Sequence, residues 1–462
     1  MFTMINLNMK YSILSIIIFL FLLLPSCKKR IKKKQIEKPN FIVFIADDAA
    51  WNDFGPYGNL KIKTPNINKM AKEGLVFNNA FLTTSSSSPS RCSILTGRYP
   101  HATGAPELHM PLPEDQLLFV GELKKVGYYT AASGKYHIGP IRKEFDTIYG
   151  GSPSGCEYWV KALQNRAKDK PFFLWLAAFD PHRDYSPNAI PVPHSPDDVI
   201  VPPFLPDNDS TRKDLALYYD EISRMDYYIG KIMVELKIQG IDKNTLLLYM
   251  SDNGSPFPRA KTRLYDSGIK TPFIIRWPKK IKKGTTNALV SSIDIAPTFC
   301  ELAGTNLSST FQGISFQPVF KDFNAEIRKY IAAEHNWHDY QAYERAIRTK
   351  EYLYISNLFP ELNASPPADV VRSITYQMMI KLYIAGKLSE NQVDCFVEPR
   401  PSEELYDVVK DPYQLHNLAD KPDASKVLND MRLLLNNWVI NFDDKIPEVP
   451  TPDKFDRWTG RK

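Results

Sequence analysis

FIVFIADD, residues 41–48, sets an unbroken apolar run directly against two acids. Six apolar residues without polar alternation read as a strand buried on both faces, as in a parallel sheet covered by helices. In open parallel sheets the ligand crevice lies outside the carboxyl ends of the strands, so Asp47 and Asp48 stand where chemistry collects. Three more apolar runs end the same way. YYTAAS (128–133) is followed by Gly134-Lys135-Tyr136-His137, FFLWLAAF (172–179) by Asp180-Pro181-His182-Arg183, and TLLLYMS (245–251) by Asp252-Asn253-Gly254. Four strand ends carrying acids, amides, Lys or His should converge on one edge.

Helical patterns alternate with these runs. TPNINKMAKEG (64–74) has Thr64 as N-cap, Pro65 at the first position and Gly74 as stop. EDQLLFVGELKKVG (114–127) reads as a second helix, residues 213–240 as a long amphipathic one ended by Gly240, and PFIIRWP (272–278) as another strand. The alternation predicts an α/β fold with a parallel, doubly wound sheet. After about residue 320 the rhythm changes. KYIAAEHNW and KEYLYISNLF are strand-like and SKVLNDMRLLLNNWVINF (425–442) reads as a terminal helix, so a main domain over 39–320 and a smaller C-terminal α+β subdomain over 321–462 are expected.

The 462 residues are 43% hydrophobic and 24% charged, an ordinary globular balance. The net charge of +6 is modest, and KKRIKKK (28–34) supplies much of it. No basic stripe with interleaved aromatics is visible, so no nucleic-acid partner is expected. Lys10 and the apolar run at 13–24 have the form of a signal peptide, too short to span ~30 Å of hydrocarbon. LPSC (24–27) resembles a bacterial lipobox with Cys27 as the lipidated residue; an ordinary signal cleavage nearby is the other reading. Residues 1–27 are thus expected to be a signal segment and 28–38 a basic tether. The protein is expected to be exported, to the periplasm or as an outer-membrane lipoprotein, touching membrane by its lipid anchor only. Cys92, Cys156, Cys300 and Cys395 lack CxxC spacing, which argues against a zinc site and a disulfide framework.

Asp47, Asp48, Asp252 and Asn253 are hard oxygen ligands, suited to Ca2+ or Mg2+. Lys135, His137 and His182 beside them would make a cationic pocket for an anion, with His available for proton transfer. SSSSPSR (85–91) leads into a helix-like block closing at Gly97, with Ser88 as N-cap and Pro89 in the first turn. Ser87 would then face a helix N-terminus that favours anions, with Arg91 one turn in. On spacing alone, a plain polar connector with a good cap fits equally well.

Ser87-Ser88-Pro89-Ser90-Arg91 followed by Thr96-Gly97-Arg98 resembles the signature of formylglycine-dependent sulfatases. ADD (46–48), GKYHIG (134–139), DPHR (180–183), SDNG (251–254) and ELYDVVKDPYQLHNLA (404–419) are similar to that family's other motifs. The resemblance runs from about residue 39 to 440 and implies an alkaline-phosphatase-like fold. SSSSPSR, ELHM (107–110), HIGP, DPHR and SDNGSPFP (251–258) look like the N-sulfoglucosamine sulfohydrolase (heparan sulfamidase) branch.

The resemblance further implies one Ca2+ per chain, held by Asp47, Asp48, the modified Ser87, Asp252 and Asn253. It implies conversion of Ser87 to formylglycine by a serine-type maturase, since Cys92 is out of frame. Arg91 and Lys135 would steady the formylglycine hydrate and the sulfate, His137 would contact its hydroxyl, His182 would be the general acid and Lys261 would bind sulfate. The sulfamidase branch carries Arg at that last position, so Lys261 weighs against an N-sulfate. The implied activity is hydrolysis of sulfate esters, or N-sulfates, on oligosaccharides from sulfated polysaccharides, algal such as ulvan or heparan-type. His109, His335, His338, Arg345 and Arg348 are candidate sugar contacts. A phosphatase or phosphodiesterase of the same superfold using unmodified Ser87, or a non-catalytic glycan-binding lipoprotein, are the alternatives.

Overall fold

The computed structural model describes residues 38–462, which form one compact unit. The signal segment, Cys27 and all but Lys38 of the basic tether lie outside the described residues. An eight-stranded sheet runs in the order β4-β3-β5-β1-β6-β7-β2-β8. Its strands are β1 (Asn40–Ala46), β2 (Leu75–Phe81), β3 (Tyr129–Gly134), β4 (Thr147–Tyr149), β5 (Phe172–Ala177), β6 (Thr245–Ser251), β7 (Ile274–Arg276) and β8 (Gly284–Ser291).

β1 shows why its run is apolar throughout. Successive side chains of a strand point to opposite faces. Phe41, Val43 and Ile45 enter a core with α2 (Ser87–Thr96), α3 (Phe119–Lys125) and α6 (Ile295–Ala303). Ile42, Phe44 and Ala46 enter the opposite core with α1 (Pro65–Lys72), α4 (Trp159–Gln164) and α5 (Asp209–Ile238). Both faces are covered, so no position is left for a polar residue. β1 pairs in parallel with β5 on one side and β6 on the other, and Ala46 lies opposite Ser251. Asp47 and Asp252 therefore leave the sheet side by side.

The sheet departs from the all-parallel expectation at one strand. β7, which PFIIRWP supplies, is three residues long and antiparallel to both β6 and β2. The chain between β6 and β7 holds only a helical turn, Asp266–Ile269, and without a crossover helix it re-enters the sheet in the opposite direction. The helix expected over 114–127 begins at Phe119. Arg142 takes the carbonyls of Pro113, Glu114 and Gln116 at 3.0, 3.1 and 2.8 Å, which holds that segment out of the helix. α5 starts earlier than its apolar pattern, because Asn208 caps it by accepting from the Thr211 N–H at 3.1 Å.

A four-stranded antiparallel sheet follows in the order β12-β11-β10-β9, from β9 (Ile331–His335), β10 (Glu344–Arg348), β11 (Tyr352–Asn357) and β12 (Glu403–Asp407). One face packs on Phe81, Leu264 and Leu289 of the large sheet's side. The other is covered by α8 (Ser425–Phe442) through Leu428, Met431, Leu435 and Trp438. Between β11 and β12 the chain forms a short helical turn, Ala368–Val371, and α7 (Ile374–Ile384). The described cysteines are all buried and unpaired.

Trp438 is fully buried and meets Tyr99 edge-on with ring centroids 5.1 Å apart, so it ties α8 to the large sheet's side. Trp438→Ala should cost about 3–5 kcal/mol of stability, as for other large core truncations. Leu433→Ala on the exposed face of the same helix should cost within about 0.5 kcal/mol. Urea denaturation of both variants checks this; equal losses would count against a Trp438 anchor.

Candidate active site

Ser87 is the first residue of α2, and the whole of that helix is buried. The cap differs from the expected one. Ser86, in extended conformation, is the N-cap, and its hydroxyl pairs with His338 Nδ1 at 2.7 Å rather than with the helix. Ser88 Oγ accepts the backbone N–H of His109 at 2.7 Å. The helix closes at Gly97 in the left-handed region, as expected. The serine run is thus packed structure, with Ser87 at the positive end of the helix dipole. Cys92 faces the core, where burial pushes its thiol up to about 12.

Ser87 Oγ lies 3.2 Å from Asp47 Oδ1 and 3.0 Å from Asn253 Oδ1. Its single proton can serve one of these at a time, so three oxygens converge with too few donors among them. Asn253 Nδ2 donates to Asp48 Oδ1 at 2.6 Å, and the Asp48 N–H donates to Asp252 Oδ1 at 3.2 Å. Oxygens of Asp47, Asp48 and Asp252 fall within 4.8 Å of one another, all fully buried. Burial pushes the Asp252 carboxyl up to about 6; Arg91 opposes that rise and Asp47 reinforces it. A hard, oxygen-only donor set converging on one point is the environment a Ca2+ ion fits.

Cations ring this cluster. Arg91 Nε reaches Asp252 Oδ2 at 2.8 Å, and another of its nitrogens donates to the Lys135 carbonyl at 2.8 Å. Lys135 Nζ meets Asp47 Oδ2 at 2.5 Å. Lys261 Nζ lies 2.7 Å from Asp48 Oδ2, 3.2 Å from Asp369 Oδ2 and 3.3 Å from His182 Nε2. Lys135 can stand here because Gly134 precedes it with φ +88; a Cβ there would lie 1.9 Å from the Ala177 carbonyl oxygen.

The histidines differ in state. His182 Nδ1 is 2.5 Å from the Arg183 carbonyl, which can only accept, so Nδ1 carries a proton and Nε2 faces Lys261. His137 Nε2 pairs with His109 Nδ1 at 2.8 Å. Burial, with Lys135 and Arg91 nearby, pushes His137 down to about 2, so it is neutral at ordinary pH. Burial and the charge of Lys454 lower His109 as well.

Ser87, Asp47, Lys135, His137, His182 and Lys261 open onto one cleft of about 550 Å3, whose lining also includes His109 and His338. The other proposed sugar contacts lie elsewhere. Arg345 is buried in a two-pronged pair with Asp444 at 2.6 and 2.9 Å. Arg348 grips Asp266 at 2.9 and 3.0 Å. His335 is buried beside Glu344 and Arg400, away from the cleft. Each serves the packing of the small sheet. Conversely, Asp339, Asp369, Arg372, Lys454 and Phe455 line the cleft without belonging to any motif. They come from the chain after residue 320, which closes the open side of the crevice.

Gly134→Ala should lower stability by more than about 2 kcal/mol, since the left-handed backbone alone costs ~1–2 kcal/mol and the clash adds to it. Gly127→Ala, with φ +96 and nothing within 4 Å of its Cβ, should cost only the conformational share. Denaturation midpoints for the pair check the contrast.

The chain is similar to known proteins along most of its length. The sulfatase family model matches residues 39–159 and 154–305, and the model for the C-terminal region of N-sulphoglucosamine sulphohydrolase matches 259–361. An ulvan-active sulfatase of Formosa agariphila is 31% identical over 422 residues, covering 86% of this chain and 79% of the relative. Another from the same organism is 29% identical and spans 97% of this chain and 84% of its own length. Human N-sulphoglucosamine sulphohydrolase is 29% identical, over 90% of this chain and 92% of that protein. A solved complex with the substrate D-glucosamine-2-N,6-O-disulfate shares the fold, with TM-score 0.71 at 22% identity, over 89% of this chain and 99% of that one. With its serine, carboxylates and cations disposed as described, the chain belongs to the sulfatase family.

Proposed function

We propose that the protein hydrolyses sulfate esters on oligosaccharides from sulfated polysaccharides, using Ser87 converted to formylglycine and one Ca2+ held by Asp47, Asp48, Asp252 and Asn253. The observation that carries this reading is one buried cluster at a helix N-terminus: Ser87 Oγ meets Asp47 and Asn253, oxygens of Asp48 and Asp252 lie within 4.8 Å of Asp47's, and Arg91, Lys135 and Lys261 ring the group. Glycan substrates are supported by relatives named ulvan-active sulfatase and N-sulphoglucosamine sulphohydrolase that align along most of the chain. When bound, Ca2+ supplies Lewis acidity, and formylglycine supplies a second hydroxyl for releasing sulfate, which serine lacks.

The remaining work falls to the chain's own groups. Lys135, Lys261 and the N–H groups of α2 face the sulfuryl oxygens and offset the charge that grows there. Arg91, fixed by Asp252, holds the nucleophile end of the site. Neutral His137 can hydrogen-bond the hydroxyl at position 87 without adding charge. The Lys261 ammonium donates to His182 Nε2, keeping a proton where the leaving oxygen departs. Asp369 holds Lys261 from the opposite side. That ammonium also fills the space between Asp48, His182 and Asp369, whose ligand atoms lie within 4.8 Å of each other. A two-metal phosphatase of this superfold would need a second cation in a place that the Lys261 ammonium takes here.

No helix among the described residues is long and apolar enough to cross a membrane. The lipobox-like LPSC supports export with Cys27 as anchor, to the periplasm or outer membrane, and SSPSR supports a serine-type maturase as partner.

Sulfate release from defined sulfated oligosaccharides, after co-expression with a serine-oxidising maturase, tests the proposal. Ser87→Ala should abolish release, and protein from a host lacking the maturase should be inert; undiminished release by Ser87→Ala would sink the reading. Asp369→Asn should lower kcat/KM roughly 10- to 100-fold, the range for losing one buried charge-assisted bond of about 1.5–3 kcal/mol. Chelator-treated protein should gain thermal stability on adding Ca2+, by about 2.7 kcal/mol at a hundredfold excess over Kd. Asp252→Asn should lose most of that gain.

A further inference from the structure

The C-terminal strap, residues 451–460, has more anchorage than an exposed tail needs. Thr451 Oγ1 donates to Glu107 at 2.9 Å, and Trp337 Nε1 donates to the Pro452 carbonyl at 2.8 Å. Asp453 accepts the Gln341 N–H at 2.7 Å and pairs with Arg457, which also donates to the Asn363 carbonyl at 2.6 Å. The Lys454 N–H donates to the Asp339 carbonyl at 2.8 Å. Tyr340 OH donates to the Asp456 carbonyl at 3.2 Å, and Arg372 donates to the Gly460 carbonyl at 2.7 Å. These bonds hold Lys454 and Phe455 against the cleft that contains Ser87.

The cleft's cations fall into two groups. Lys135, Lys261, Arg183 and Arg224 each have a carboxylate partner at 2.5–2.7 Å. Arg372 and Lys454 line the same cleft, are solvent-exposed, and have no carboxylate within salt-bridge distance among the described residues. Arg372 is steadied through a carbonyl, which fixes its guanidinium without neutralising it. A cation held in place and left without a counter-ion beside a binding cleft is disposed to take its counter-ion from the ligand. The sulfate to be cleaved already has Lys135, Lys261 and the start of α2 to meet it. The Lys454 ammonium lies over the Phe455 ring, 5.4 Å from its centroid, which steadies it without neutralising it.

We propose that Arg372 and Lys454 form a second anion subsite at the cleft mouth, which takes a uronic carboxylate or a second sulfate ester on the same substrate. The inference rests on the glycan-sulfatase reading above and narrows its substrate class to chains that carry at least two anionic groups within reach of one cleft.

The test uses matured enzyme and three oligosaccharides with the same scissile sulfate, whose neighbouring sugar carries a carboxylate, a second sulfate or no charge. Lys454→Gln and Arg372→Gln should each lower the ratio of kcat/KM for a doubly anionic over the singly anionic substrate, roughly five- to tenfold. The change should sit in KM and shrink as salt is raised. Whichever charged arm carries the loss identifies the group. Lys454→Arg should restore the ratio, and melting curves of all variants should match the parent's. An unchanged ratio, or equal losses on all three substrates, would overturn the subsite. Parent enzyme that releases sulfate from none of the three would instead overturn the glycan-sulfatase reading, and the subsite with it.

Discussion

Three carboxylates buried within 4.8 Å of one another are the condition around which the rest of the molecule is arranged. Two like charges about 4 Å apart repel by about 4 kcal/mol even at an effective dielectric of ~20, and burial strips each of water as well. Asp47, Asp48 and Asp252 persist together because Arg91, Lys135 and Lys261 supply three positive charges at 2.5–2.8 Å. Each of the three cations is itself fully or mostly buried, so its own desolvation is offset mainly by these acids, with Asp369 adding to Lys261. Neither set is comfortable without the other, and the convergence of hard oxygens that remains between them is what a divalent ion would occupy.

That arrangement explains the sheet. The acids reach one point because β1 and β6 run parallel in a register that aligns Ala46 with Ser251. The cations come from a helix start, a strand end and a loop: Arg91 in α2, Lys135 after β3 and Lys261 beyond β6. Fixing so many separately borne charges to within fractions of an ångström requires a rigid scaffold. The two closed hydrophobic cores on either face of β1 supply that rigidity. The small sheet and the C-terminal strap then cover the open side of the crevice and bring Asp369 to Lys261.

Legibility followed burial. β1, β5 and β6 are covered on both faces, so their sequences are apolar throughout and could be read as strands almost to the residue. β2 (LVFNNAF) and β8 (GTTNALVS) carry polar residues on partly exposed positions and give no clean period that would mark a strand. β7 had the right composition but not the expected direction, because direction is decided by the connection. The N-terminal part of the 114–127 pattern looked helical until Arg142, distant from it in sequence, captured its carbonyls.

The sequence by itself determined the metal-type acids, the serine at a helix start and the Lys and His residues after strands, because strand and helix ends impose these positions locally through the chain's own geometry. Only the tertiary structure decided which charged residues belong to the site. Arg345 and Arg348 have the chemistry of anion ligands but are consumed by Asp444 and Asp266, whereas Arg372 and Lys454 remain without acidic partners among the described residues and line the cleft. A charge's role depends on which opposite charge it meets, and those partners stand as far as 213 residues away along the chain. No local pattern encodes such pairings. They arise when two sheets and a terminal strap close over one crevice.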